Sequence, residues 1–208
     1  KGPRSALWGS DAIGGVVAMT TLEPQSLLGA GRDTGLRVSS GLTGVDDGWN
    51  AAATGALRHG DLSAMLGYVR REGHEAATAA DVEPNPRDYR SDSWLAKLDF
   101  AAMPGGPLAL VLESGAVRQQ TSIDAFLGLA GTRFVNTTLL EGDDRSDRYR
   151  LGASQRLAGG SAFDNATWRL YAQGTETRQD TYEQRRAVPP RTPPVAIERG
   201  FRIEDATF

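Results

Sequence analysis

The chain has 208 residues, no cysteine, 39% hydrophobic residues and a formal net charge of −3. The absence of cysteine excludes disulfide bridges and thiolate metal sites, and the weak acidic excess indicates no particular partner. No stretch approaches the roughly 18–20 apolar residues that a membrane-spanning helix needs. A membrane-spanning strand needs only about 9–11 residues with one apolar face, so the composition remains compatible with a transmembrane barrel.

The opening segment reads Lys1-Gly-Pro-Arg-Ser-Ala-Leu-Trp-Gly-Ser-Asp-Ala-Ile-Gly-Gly-Val-Val17. It resembles the end of the plug domain in TonB-dependent outer-membrane receptors. In that family, Lys/Arg-Gly-Pro leads from a strand into a short helical turn, Tyr or Trp followed by Gly closes the turn, and Ala-Ile-Gly-Gly-Val-Val begins the next strand. The residues that carry the resemblance are Gly2, Pro3, Ser5, Leu7, Trp8, Gly9, Ala12, Ile13, Gly14 and Gly15.

From Thr34 onward, apolar and polar residues alternate with period two between turn-forming residues, which predicts antiparallel strands. The predicted strands cover residues 34–45, 49–58, 62–71, 92–103, 108–118, 146–157 and 164–174, and an eighth begins near Arg199. The chain therefore has the pattern of an all-β protein built from about eight strands.

The connections between these predicted strands alternate in length. Residues 59–61, 104–107 and 158–163 form short breaks, whereas residues 72–91, 119–145 and 175–198 form long ones. Outer-membrane barrels have short periplasmic turns and longer extracellular loops. The alternation supports the resemblance independently of the opening motif.

Each predicted strand has one apolar and one polar face. In a polar-lumen barrel the apolar face meets lipid and the polar face lines the lumen. We expect an aromatic girdle near the extracellular strand ends from Trp49, Trp94, Tyr149 and Trp168. The charged residues that the alternation places on the polar, lumen-facing side of the strands are Arg37, Arg58, Lys97, Asp99, Glu113, Arg148, Arg150 and Arg169.

The resemblance implies a three-part organisation: residues 1–24 are the C-terminal end of a plug, 25–33 a connector and 34–208 the N-terminal part of an antiparallel transmembrane β-barrel. Receptors of this family have about 22 strands around the plug. Because the chain begins inside the motif and ends inside a strand-like pattern, we expect it to be an internal piece of a longer protein. Its eight strands should form an open sheet with two free edges.

The family also implies a function in the bacterial outer membrane, namely active uptake of an iron source. The expected partners are outer-membrane lipid and lipopolysaccharide, the TonB complex acting through a segment upstream of the plug, and a small iron chelate or a haem protein. The segment from Thr175 to Arg186 resembles the haemoglobin/haem branch, so haem is preferred over a ferric siderophore as the transported ligand. A passive barrel, such as a porin or an adhesin anchor, and a soluble β-sandwich are the alternatives.

Candidate ligand-facing loop residues are His74, Tyr89, Arg90, Phe126, Phe134, Tyr182, Arg185 and Arg186. Each also has a simpler interpretation as a packed or solvated loop residue. With only two histidines and no Ser/His/Asp arrangement, we expect no enzyme activity. We expect neither a metal site nor a resident cofactor, because the acidic cluster around Asp143 lacks calcium-loop spacing.

Only Lys1 and Lys97 among the 23 basic residues are lysines. Genomic composition is the favoured explanation. The functional alternative is that arginines bind lipopolysaccharide phosphates bidentately, but the sequence alone does not place arginines at the required height.

Overall fold

The computed structural model describes residues 21–76, 83–159, 164–188 and 193–207, so the plug-like motif lies outside the described residues. Within them, eight strands form one antiparallel sheet in which each strand pairs with the next along the chain. The strands are β1 (Thr34–Thr43), β2 (Gly48–His59), β3 (Leu62–Gly73), β4 (Arg87–Phe100), β5 (Leu108–Ser122), β6 (Thr137–Ala158), β7 (Asn165–Arg185) and β8 (Val195–Thr207). The predicted all-β antiparallel barrel fragment is confirmed as an open sheet, with β1 and β8 at its edges in the described part.

Short 3-10 helices at Pro24–Ser26 and Asp124–Phe126 complete the described secondary structure. In the part of the chain that the structure describes, no helix has the length and apolar character needed to cross a membrane.

Six strands, β3 to β8, extend further into the three long connections than the sequence predicted. The predicted loops 72–91, 119–145 and 175–198 are shortened by strand ends at Gly73 and Arg87, at Ser122 and Thr137, and at Arg185 and Val195. Most of these extensions carry polar side chains on both faces, so hydrophobic alternation does not mark them. They are held instead by backbone pairing and by ion pairs such as Arg202 to Glu176, at 3.0 Å.

The connections define two ends of the sheet. We name the end formed by the described residues 44–47, 74–76, 83–86, 123–136, 186–188 and 193–194 the long-connection end. The opposite, short-turn end contains the described residues 60–61, 101–107, 159 and 164.

The connector packs against part of one face of the sheet, near β2 to β4, and we name this face the inner face. Leu28 packs there in a small cluster with Ala56 of β2 and Met65 of β3. Lys97 of β4, which is only 8% exposed, forms an ion pair with Glu23 at 2.7 Å. The close approach needs glycine at position 35, because a Cβ there would lie 2.4 Å from the carbonyl oxygen of Leu27.

The opposite, outer face carries an uncovered apolar band. Val38 is 70% exposed, Leu66 is 56% exposed and Leu170 is 68% exposed. The strand register places all the predicted lipid-side residues on this face and all the predicted lumen-side charges on the inner face. The sheet is therefore inverted relative to a water-soluble protein, with its apolar face outward.

Of the four predicted girdle residues, Trp49 lies at the long-connection end of its strand, whereas Trp94 and Tyr149 lie near the middle of β4 and β6, because these strands extend beyond their apolar parts. Trp168 lies near the start of β7, which is the short-turn end, and its indole nitrogen donates to Gln155 Oε1 at 3.2 Å. The error came from assigning Trp168 to the wrong end of its strand, since the preceding connection is a short turn. Trp94 and Tyr68 of the neighbouring strand lie in contact, with ring centroids 4.4 Å apart.

The buried apolar core is too small for a soluble sandwich. Leu28, Ala56, Met65 and Leu140 are the only buried hydrophobic residues that form a core in the described part of the chain. A sandwich needs two packed sheets with interdigitated inner faces, whereas the described residues form a single sheet. The β-sandwich alternative therefore has no structural support.

Two adjacent residues of β1 test whether the apolar side chains of the sheet face outward and the polar ones inward. Val38 points outward and Ser39 inward, and both are exposed. We expect Val38→Arg to cost about 2–4 kcal/mol, because a lipid-facing arginine near the middle of the bilayer is unfavourable by that amount. Ser39→Arg should be tolerated. The measurement is the amount of folded full-length protein recovered from outer membranes, and equal recovery of both variants would contradict the assigned faces.

Candidate functional site

Arginine and aromatic side chains line the inner face at the long-connection end. Strand register places Arg71 on β3, Arg87 on β4, Arg185 on β7 and Arg199 on β8 of this face. Phe201 lies beside them and is 59% exposed. We refer to these five residues, with Asp46, Tyr89 and Glu183, as the inner-face site.

Asp46 forms one half of the site, in the turn between β1 and β2. Its carboxylate accepts a hydrogen bond from the Tyr89 hydroxyl at 2.5 Å and another from Arg71 at 2.9 Å. The hydrogen bond from Tyr89 is the main cause of the lowered pKa of Asp46; burial opposes it, and Arg71 adds to it. Glycine at position 73 leaves room for the tyrosine, because a Cβ there would lie 2.8 Å from its hydroxyl oxygen.

Tyr89 lies between two guanidinium groups. Arg71 and Arg87 lie 5.4 Å and 5.7 Å from its ring centroid, within the range of cation–π attraction. Two buried polar atoms here, Asp46 Oδ1 and Arg87 Nε, have no hydrogen-bond partner among the described residues. Unsatisfied buried polar atoms are uncommon and costly, so this half of the site has unused capacity for a polar ligand group or water.

Glu183 forms the other half and connects three strands. Its fully buried carboxylate accepts hydrogen bonds from Thr137 of β6 at 2.7 Å, from Arg185 of β7 at 2.7 Å and from Arg199 of β8 at 3.4 Å. The Arg185 hydrogen bond is the main cause that lowers the pKa of Glu183 to about 2, against the opposing effect of burial. The carboxylate therefore stays ionised and fixes the two arginines.

The structure separates the eight candidate ligand-facing residues. Tyr89 and Arg185 lie on the inner face, whereas Arg90 and Tyr182 lie on the outer face of the same strands. All four belong to strands rather than to the predicted loops, because β4 and β7 extend further than their apolar parts. Their roles in ligand binding remain predictions.

The other four candidates lie in or beside the connections. Phe126 and Phe134 stack on each other, with ring centroids 5.3 Å apart, and the Arg186 backbone N–H donates to Asn136. His74 Nδ1 lies 2.6 Å from Asp88 Oδ1. His74 also lines an open cavity of about 1070 Å³ at the long-connection end, together with Tyr182 and Arg199.

Sequence reasoning missed Asp46, Arg71, Arg87, Glu183 and Arg199 as members of a site. Asp46 was assigned to a turn, and the others to loops or to the end of a strand. Extending the period-two parity of each strand beyond its apolar part would have placed the four strand residues on the lumen side.

No family model matches the chain. A hemin receptor from Yersinia pestis is 33% identical to it over 72 residues. Part of this chain is similar to a hemin receptor. The match covers 35% of this chain but 11% of the relative's length, so the activity of the whole protein remains a matter for proposal.

Acid should weaken the Glu183 contacts. A carboxyl group with a depressed folded-state pKa stabilises the fold fully above its ordinary pKa of 4.5, and the contribution is lost as the pH falls toward about 2. We expect Glu183→Gln to lower the stability of the full-length protein at pH 7 by on the order of 2 kcal/mol. The stability difference between this variant and the unmodified protein should shrink as the pH falls from 5 to 2.

Thermal unfolding in detergent, followed by circular dichroism at each pH, measures both effects. Glu198→Gln is the matched control, because Glu198 is exposed on β8 and forms no ion pair in the described part of the chain. Equal effects of the two substitutions at pH 7 would contradict the role given to Glu183.

Proposed function

We propose that the chain is part of a TonB-dependent outer-membrane receptor for active uptake of an iron source, with haem or a haem protein preferred over a ferric siderophore. The observation that carries the proposal is the inverted sheet, whose outer face is apolar and whose inner face pairs with the connector. The partial similarity to a hemin receptor supports the same family and the preferred ligand.

In this proposal the inner-face site meets the ligand on the extracellular side. Arg71 and Arg199 keep nearly half of their side-chain surface exposed, at 47% and 45%, and attract an anionic ligand. Arginine pairs well with carboxylates such as the propionates of haem, and Phe201 offers an exposed ring against which a flat aromatic ligand can stack. Binding and transport need no catalytic step.

Energy coupling follows from the family resemblance. The TonB complex binds a segment that precedes the plug and uses proton-motive force to displace the plug, which admits the ligand. Residues 1–17 carry this part of the proposal, since a passive barrel has no plug motif. The inner-face contacts of Glu23, in the expected plug end, with Lys97 and of Gln25, in the connector, with Asp99 support a chain that passes from the plug into the barrel along this face.

Charge removal at the site tests ligand binding. We expect the double variant Arg71→Gln, Arg199→Gln to bind haem at least tenfold more weakly, because two charge-assisted contacts are lost. The matched control is Arg58→Gln, Arg169→Gln, which removes two inner-face arginines from the short-turn end. Haem titration of the full-length protein in detergent measures the affinities, and equal losses in both variants would exclude a localised site.

Energy dependence separates an active receptor from a passive barrel. Cells that produce the full-length protein should lose haem uptake when an uncoupler dissipates the proton-motive force, while haem binding at the cell surface persists. Uptake that continues undiminished would favour the passive barrel. If the protein bound a ferric siderophore and haem did not compete for that binding, the siderophore would replace haem as the preferred ligand. The receptor assignment would stand.

A further inference from the structure

The last described strand, β8, carries its apolar side chains on the inner face, whereas the strands before it carry theirs mainly on the outer face. Strand register places Phe201 opposite Gln179 and Ile203 opposite Thr177, both on the inner face of β7. Phe201 is 59% exposed and Ile203 is 51% exposed. We name Ile197, Phe201 and Ile203 the β8 strip. The outer-face residues of β8 are small or charged: Ala196, Glu198, Gly200, Arg202, Glu204 and Ala206.

The β8 strip is free to accept an apolar ligand face. Phe201 forms no aromatic stacking or cation–π contact with other described residues. Tyr89 differs, because the guanidinium groups of Arg71 and Arg87 lie 5.4 Å and 5.7 Å from its ring centroid. Leaving apolar surface in water costs about 25 cal/mol per Å², so a ligand that covers the strip gains affinity from it.

Small side chains form the floor between β4 and β8. The register row that joins Arg87 of β4 to Arg199 of β8 passes through Thr121, Gly142 and Thr181. A Cβ at position 142 would meet no atom within 4 Å apart from its chain neighbours, so the space above the floor is open. Four strand spacings of about 4.8 Å give roughly 19 Å from β4 to β8 along the sheet. This space has room for a planar macrocycle.

Arginine supplies the polar edge of this space. Arg199 lies on β8 between Ile197 and Phe201, and Glu183 holds its guanidinium group at 3.4 Å. From the register row of Arg71 to the strand ends, the four arginines of the inner-face site face three described carboxylates on this face, those of Asp46, Asp144 and Glu183. One positive charge therefore remains, which favours a ligand with an apolar face and an anionic periphery.

The described chain reaches the inner face far from the β8 strip. Thr21, the first described residue, accepts a hydrogen bond from Lys97 through its carbonyl oxygen, at 3.5 Å. Lys97 lies eight residues along β4 from Tyr89, which is about 26 Å toward the short-turn end. This position favours a ligand that arrives from the long-connection end, rather than the plug, as the occupant of the strip.

We propose that the β8 strip binds the apolar face of a tetrapyrrole whose carboxylates pair with the inner-face arginines, and that this recognition does not depend on the metal in the ring. The inference rests on the proposed haem-type ligand and widens it to tetrapyrroles as a class, including metal-free rings.

The side chains at this end carry the independence from the metal. The described inner-face strand residues beyond the register row of Arg71 include no histidine, cysteine or methionine. His74 lies in the connection after β3, with its Nδ1 atom 2.6 Å from Asp88 of the outer face. The Tyr89 hydroxyl donates to Asp46. The ring and its carboxylates are therefore what this part of the chain recognises.

The test uses full-length protein in detergent and two probes, haem and metal-free protoporphyrin IX, each titrated by its absorbance spectrum. We expect the double variant Phe201→Ser, Ile203→Ser to bind both probes about tenfold more weakly or worse, because two apolar contacts with the ring are lost. The two losses should agree within about twofold, since the strip contacts the ring and not the metal. Protoporphyrin IX dimethyl ester, which lacks the carboxylate charges, should bind the unmodified protein more weakly than protoporphyrin IX does.

The matched control is Val69→Ser, Val111→Ser, which removes two apolar side chains from the inner face nearer the short-turn end. It should change either affinity by less than about twofold, because distant sites act independently. Equal losses in the two double variants, no loss in the β8 variant, or a loss for haem alone would each overturn the inference. Should the β8 double variant fail to fold, Phe201→Leu provides the comparison, with a loss of about threefold expected from the missing aromatic ring and an unchanged affinity counting against the inference.

Failure of this inference and failure of the proposed function give different results. If the unmodified full-length protein bound neither probe, the haem preference and this inference would both be wrong. If it bound both probes and the β8 variant bound them equally well, only this inference would be wrong. Increased protease cleavage within residues 1–17 of that variant, without a change in affinity, would show that the strip holds the plug instead.

Discussion

The structure depends on the alternation of apolar and polar side chains along strands that pair only with their sequence neighbours. Backbone pairing satisfies the hydrogen-bonding groups within the sheet, so one face is free to be apolar and uncovered. In water such a face would associate or collapse. In lipid it is the stable surface, and opposite the apolar band the charged groups lie on the inner face, as Lys97 and its partner Glu23 illustrate.

The sequence predicted the strands well wherever that alternation includes large apolar residues. β1, β2 and β3 begin and end within two residues of the predicted limits, whereas β6 begins nine residues earlier than expected, at Thr137 rather than at Ser146. The difference is physical. The outer parts of β5 to β7 have no apolar stripe, and their pairing depends on backbone hydrogen bonds and ion pairs, which leave no simple pattern along one strand.

The candidate site was predictable only in part, for the same reason. Tyr89 and Arg185 were recognised by residue type, but Glu183 acquires its importance from Thr137 and Arg199, which belong to other strands. A cross-strand contact depends on register, and register follows from the lengths of strands and turns. A misplaced strand end, as with Trp168, therefore misplaces the side chain with respect to the membrane even when its face is correct.

Oppositely charged side chains beyond the apolar band divide each long strand into a charged region and an apolar region. The two regions respond differently to the surrounding medium. Where Arg178 and Arg202 alternate with Asp180 and Glu204, cohesion between strands is electrostatic and decreases as ions accumulate. Around Leu170, cohesion does not rely on charge. Raising the ionic strength should thus loosen the sheet progressively from its long-connection end, while the apolar part keeps its shape.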